Sequence, residues 1–172
     1  MSDNNQDVTI GNQQERLYFY IGYLLGMIDG EGSCQFGYKY LYKGCKVFSP
    51  KITIFNNNPS IIDKTKNVLD KLGVTYYFFS TQKGNEFWPV FRIEIAGIKR
   101  VKFLTDILLK YPSGKRDKLK LLNDFCNHRL LQGRKKYSEV DKAYFKELKR
   151  LNSLFRGKST ESSETTRSDA KA

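Results

Sequence analysis

The sequence predicts an α+β domain: one antiparallel four-stranded sheet with helices on one face, in the order αββαββα. Two observations carry that expectation. Residues 32–56 and 74–97 each contain a pair of short, alternating apolar segments around a polar turn, the signature of a hairpin. Segments with a helical apolar stripe precede, separate and follow these pairs. Hairpins interleaved with helices close most simply into one sheet covered on a single side. The 172 residues, 40% of them hydrophobic, suffice for one such core.

The elements follow in order. The polar opening "MSDNNQDVTIGNQQ" suggests a flexible arm over 1–14, ahead of a helix from about Gln14 to Asp29. "GSCQFGYKYLYKG" alternates, with Cys34, Phe36, Tyr38 and Tyr40 on one face and Ser33, Gln35, Gly37 and Lys39 on the other. The turn at Lys43-Gly44 leads to a second strand, with Phe48, Ile52 and Ile54 against Lys51 and Thr53. Asn58 is placed to cap the next helix, Pro59 fits its first position, and Gly73 ends it. Its stripe is Ile61, Ile62, Thr65, Val68, Leu69 and Leu72. "VTYYFFSTQ" and "EFWPVFRIEIAG" read as the second hairpin, joined by "KGN". Helices are expected over "IKRVKFLTDILLKY", over 115–131 and over 139–155. The domain thus runs over 15–156, and the Ser/Thr-rich stretch 157–172 reads as a disordered tail.

Composition narrows the function. A formal net charge of +12 points to a polyanionic partner, nucleic acid first. The longest apolar run, residues 17–28, falls short of the roughly 20 residues that span a bilayer. No charged-then-apolar leader opens the sequence, so an intracellular protein is expected, in a prokaryotic cytoplasm or an organelle matrix. Cys34, Cys45 and Cys126 lack metal-site spacing, and the single His128 has no nucleophile motif beside it. These four residues are expected to be structural.

One stretch resists a purely structural reading. "YIGYLLGMIDGEGS", residues 20–33, carries Gly22, Gly26 and Gly30 in an apolar helix that ends in Asp29 and Glu31. Each glycine costs a helix about 1 kcal/mol relative to alanine. Acids at a helix C-terminus meet the negative end of its dipole. The four-residue spacing aligns the glycines in one bare stripe, where another backbone could approach closely. Two carboxylates beside carbonyls without helical partners suit a hard divalent cation.

"LLGMIDGEG", residues 24–32, resembles the LAGLIDADG motif of homing endonucleases. Gly26, Ile28, Asp29 and Gly32 match outright; Leu25, Met27, Gly30 and Glu31 replace alanine, leucine, alanine and aspartate. The resemblance extends from residue 15 to about 130 through the order of helices and hairpins. It implies an intron-encoded, site-specific double-strand DNA endonuclease that hydrolyses phosphodiesters with Mg²⁺ or Mn²⁺ at a long pseudo-palindromic site. A single motif implies a homodimer, with Gly22, Gly26 and Tyr23 at the interface. Matched to the family, Glu31 and the Gly30 carbonyl hold the metal, and Asp29 supports the motif's end with a possible outer contact to the cation. Asn56 or Asn57 orders the attacking water; strand parity favours the first, and the distance to Gly73 the second. Lys115 polarises that water or steadies the phosphate. The alternative on the same fold is an RNA-binding intron maturase or a DNA-binding protein that does not cut.

Base reading is expected from the polar face of the strands. The candidates are Ser33, Gln35, Lys39, Lys51 and Thr53 in the first hairpin, and Ser80, Gln82, Lys83, Glu86, Trp88 and Arg92 in the second, with Arg116 nearby. A two-stranded ribbon fits the major groove, where arginine and lysine suit guanine and glutamine suits adenine. Arg129, Arg134, Lys135 and Lys136 are expected to grip phosphates.

Overall fold

The computed structural model describes the backbone of residues 4–40, 46–81, 89–133 and 137–154, with side chains placed except at 4–11, 38–40, 46–47 and 81. The order is α1 (Asn4–Glu31), β1 (Gly32–Tyr40), β2 (Lys46–Asn56), α2 (Pro59–Lys71), β3 (Tyr77–Thr81), β4 (Val90–Ala96), α3 (Ile98–Leu108), α4 (Arg116–Gln132) and α5 (Glu139–Ser153). All strand pairs are antiparallel and form one sheet in the order β1-β2-β4-β3.

Local chemistry sets the boundaries. Asn58 Oδ1 accepts from Ser60 N at 2.9 Å and caps α2, Pro59 opens it, and Gly73 leaves it at φ +68°. In α5, Ser138 and Asp141 close a reciprocal capping box. Gly32 turns the chain from α1 into β1 so tightly that a Cβ there would lie 2.5 Å from the Ile28 carbonyl oxygen. Only glycine fits without a shift of backbone.

One sheet face is apolar. Cys34 and Phe36 of β1, Ile52 and Ile54 of β2, and Ile93 and Ile95 of β4 are buried there. They pack with Ile21, Leu24, Leu25 and Ile28 of α1, Ile62, Val68 and Leu69 of α2, Val101, Leu104 and Leu108 of α3, and Leu119, Leu122 and Phe125 of α4. Beyond β1, Phe145 of α5 packs on Phe36 and Phe48, and Asn152 Nδ2 donates to the Cys34 carbonyl at 3.1 Å. Among the described residues no helix is long and apolar enough to cross a membrane.

Two expectations change. The first helix begins at Asn4, so residues 4–13, expected in an arm, are helical. Their polar composition gives no apolar stripe to announce a helix. Ser80 pairs with Phe91, and its strand neighbour Phe78 pairs with buried Ile93, so Ser80 lies on the helix side of the sheet. Tyr77 and Phe79 lie on the solvent parity of β3. The turns at 43–44 and 83–85 and the tail over 157–172 lie outside the described residues.

Candidate active site

The C-terminus of α1 meets the loop that leads into α4. Asp29 Oδ1 accepts from Ser113 Oγ at 2.7 Å and Lys115 N at 3.1 Å, while Oδ2 accepts from Gly114 N at 2.8 Å. The donors stand at the start of α4, whose exposed amides and positive dipole end favour a carboxylate. Lys115 answers the other terminus. Its Nζ donates to the Ile28 carbonyl at 2.8 Å and the Gly32 carbonyl at 2.6 Å. A cation thus sits on the negative end of α1, which offsets the penalty its acids raise.

The two acids of the motif therefore differ. Asp29 is a clasp, with both oxygens engaged. Glu31 is exposed and forms no hydrogen bond or ion pair with any described residue. No three His, Cys, Asp or Glu side chains converge on a cation position among the described residues. One open carboxylate beside a helix-end backbone is a hard, oxygen-only donor set. That set fits a cation whose shell is completed by water and phosphate.

Asn56 is the last residue of β2, two positions beyond the Gly32–Ile54 pair, so it stands near the root of the motif. Its Oδ1 accepts from Asn58 N at 2.8 Å, which leaves its amide N–H groups as donors. Asn57 lies outside the strand and is exposed. Sequence reasoning missed Lys118, one turn along α4 and nearly buried. Burial pushes its ammonium below the ordinary lysine value, and the neighbouring Lys115 charge adds to this. Burial also pushes the Cys34 thiol up to about 12, against the pull of Lys115 and Lys118, so it stays protonated near neutral pH. Its placement is structural.

The glycine stripe is open. Exposed Gly22, Gly26 and Gly30 would each accept a Cβ with no described atom beyond the adjoining turns of α1 within 4 Å. Tyr18 and Phe19, also exposed, continue this face of α1 toward its N-terminus. Tyr23 turns aside: its hydroxyl meets the Ile61 carbonyl and Thr65 Oγ1, both at 3.3 Å, and Lys64 Nζ lies 4.8 Å from its ring centre. It belongs to the α1–α2 contact within the chain.

Strand register arranges the solvent face of the sheet in rows. Phe55, Arg92 and Phe79 stand side by side across β2, β4 and β3. The next row is Ser33, Thr53, Glu94 and Tyr77, and the one after it Gln35, Lys51 and Ala96. A shallow cavity of about 290 Å³ crosses the outer rows, lined by Gly37, Ser49, Lys51, Tyr77, Phe79, Glu94 and Ala96. Ser33, Gln35, Lys51 and Arg92 lie on this face as expected. Thr53 also faces outward, yet it is 1% exposed beneath Gln35, whose Nε2 donates to its hydroxyl at 3.3 Å. Lys51 is engaged by Glu94 at 3.3 Å.

The remaining candidates separate. Arg116 donates to the carbonyls of Leu109 and Tyr111 at 2.9 and 3.0 Å and finishes the turn after α3. Arg129 is buried against Asp141 at 3.3 Å and ties α4 to α5, so it is no phosphate grip. His128 approaches the same carboxylate at 3.7 Å and packs near Tyr144, a structural position. Gln82, Lys83, Glu86, Trp88 and residues 134–136 lie outside the described residues, as does the side chain of Lys39.

Comparison with known proteins bears on this architecture. No family model matches the sequence, and no curated protein does. Solved structures do match. The archaeal intron-encoded homing endonuclease I-Vdi141I, complexed with DNA, superposes with a TM-score of 0.54 at 18% identity, covering 88% of this chain and 89% of that one. Homing endonuclease I-CvuI, with its target in the presence of 2 mM Ca, gives 0.53 at 15%, over 78% and 97% of the two chains. The LAGLIDADG meganuclease I-CpaMI, bound to uncleaved DNA, gives 0.51 at 14%, over 74% of this chain and 51% of that one. The fold is that of the LAGLIDADG homing endonucleases. On this LAGLIDADG fold, residues 24–32 form the end of α1 and its exit into β1, where Asp29, Glu31 and Lys115 gather.

Proposed function

We propose that the chain is a metal-dependent, site-specific DNA endonuclease that works as a homodimer, of the intron-encoded homing type. The observation that carries this reading is the open Glu31 carboxylate at the tip of α1. It stands at the helix end to which Lys115 is anchored, on a helix whose glycine face no described residue covers. Two copies joined along Gly22 and Gly26 would bring two such tips together, one for each DNA strand. The net charge of +12 and the LAGLIDADG fold support duplex DNA as the partner.

The chemistry follows from donor capacity. Glu31 and the Gly30 carbonyl would hold a divalent cation of the Mg²⁺ or Mn²⁺ kind, which supplies charge neutralisation at the scissile phosphate. Lys115 has three N–H donors, of which the Ile28 and Gly32 carbonyls take two. The third is available to a phosphate oxygen or to the attacking water. Asp29 holds the Lys115 backbone at fixed distance from the helix tip, so both charges are positioned before substrate arrives. Asn56 offers an amide donor at the end of β2 to orient water. Direct attack by water on phosphorus requires no protein nucleophile.

The test is selection of cleaved duplexes from a randomised library with Mg²⁺, followed by the Glu31→Gln variant on a selected site. Cleavage should fall by at least about a hundredfold while duplex binding stays unchanged. Undiminished cutting by Glu31→Gln would remove the metal role. Binding of structured RNA in preference to any duplex would favour the maturase reading.

A further inference from the structure

The row of the sheet nearest the α1 tip is unlike the others. It begins one residue past the Gly32–Ile54 pair, where β1 leaves α1, and consists of Phe55, Arg92 and Phe79. Both rings face solvent, 39% and 38% exposed, on the surface where polar residues were expected. The Arg92 guanidinium lies 4.3 Å from the Phe79 ring centre, and its Nε finds no acceptor among the described residues. Stacking restricts the guanidinium plane without using its N–H groups. The adjoining rows differ: there Lys51 and Glu94 neutralise one another, and Gln35 is bonded to Thr53.

Two exposed phenylalanines flanking the Arg92 cation, on a chain of net charge +12, suit a polyanion that also offers apolar contacts. In the major groove the apolar feature at base level is the 5-methyl of thymine, while a guanidinium held flat suits guanine O6 and N7. We propose that the row Phe55–Arg92–Phe79 reads guanine with adjacent thymine in the part of each half-site nearest the cleavage centre. Arg92 bonds the guanine, and the two rings pack on thymine methyls. This inference rests on the DNA-binding reading above and adds the base identity that this row recognises.

The experiment selects bound duplexes from a randomised library with the full chain, then replaces each enriched thymine by deoxyuridine, which lacks only the methyl. Guanine next to thymine should be enriched on the cleavage-proximal side. Each thymine-to-deoxyuridine change should weaken binding about fourfold, the worth of one buried methyl. In a Phe55→Ala/Phe79→Ala variant that loss should shrink below about twofold. Arg92→Ala should relax guanine selection while total binding keeps its salt dependence. Circular dichroism establishes that each variant folds; Phe55 and Phe79 are exposed, and Arg92 is half-buried. Selected sites without guanine–thymine enrichment, or full tolerance of deoxyuridine by the wild type, overturn this assignment while DNA binding stands. Failure to retain any duplex overturns the DNA-binding reading and the assignment together.

Discussion

At the scale of the residue, two neighbouring acids of one motif have opposite situations. Asp29 is saturated by three donors from the α4 entrance, whereas Glu31 is exposed and has no partner among the described residues. Their substitutions should therefore separate. Asp29→Asn replaces one charged acceptor with a donor amid three donors and should cost about 2 kcal/mol of stability, read by urea unfolding. Glu31→Gln should leave the unfolding midpoint within error and act on cleavage alone. Gly32→Ala should cost about 2 kcal/mol through the close approach to the Ile28 carbonyl, with the same measurement. The motif made Asp29 and Glu31 legible in the sequence, and through it Lys115. Lys118 was not legible, because a lysine on a helix reads as solvated unless the packing around it is known.

At the scale of the element, α1 has one face in the core and another that no described residue covers. The proposed pairing along this stripe predicts a dimer in sedimentation at micromolar concentration that Gly26→Leu abolishes; a monomeric wild type would contradict it. The α3–α4 pair carries a different prediction. Burial opposes ionisation of Asp106, but hydrogen bonds from Lys102 and Asn123 outweigh it and hold its pKa below the ordinary value. A depressed carboxylate stabilises the fold above its unfolded pKa of about 3.9, and the contribution is lost as pH falls below that. Asp106→Asn should thus narrow the gap in thermal stability between pH 7 and pH 3, measured by calorimetry. Element type was readable wherever alternation or caps spoke clearly, as at Asn58, Pro59 and Gly73. The parity of β3 was not. Tyr76, Tyr77, Phe78 and Phe79 form an unbroken aromatic run, so period two offers no contrast there, and Ser80 was placed outward as a polar residue. Only pairing with β4 places Phe79 beside Arg92.

At the scale of the whole molecule, the described helices occupy one side of the sheet, and the other is the face proposed to meet DNA. Duplex binding should weaken steeply as salt rises, with log affinity falling linearly in log salt concentration, because phosphate contacts release counterions. A filter-binding series from low to moderate salt checks this, and a flat response would contradict a DNA-binding surface. The architecture was legible because its hairpins alternate and its helices carry stripes. Which groups lie open on the solvent face of the sheet was only half legible, since Thr53 is shielded by Gln35 and Arg116 is spent on the turn after α3.

The Asp29 knot, finally, constrains anyone who would recombine this molecule. The last turn of α1 and residues 113–115 are more than eighty positions apart in sequence but form one mechanical part. A chimaera that inherits its first helix from one parent and the loop before α4 from another would mate an acid from one design with amides from a second. Crossover points between residues 32 and 112 cut that part in two; exchanges that keep both pieces from the same parent leave it whole.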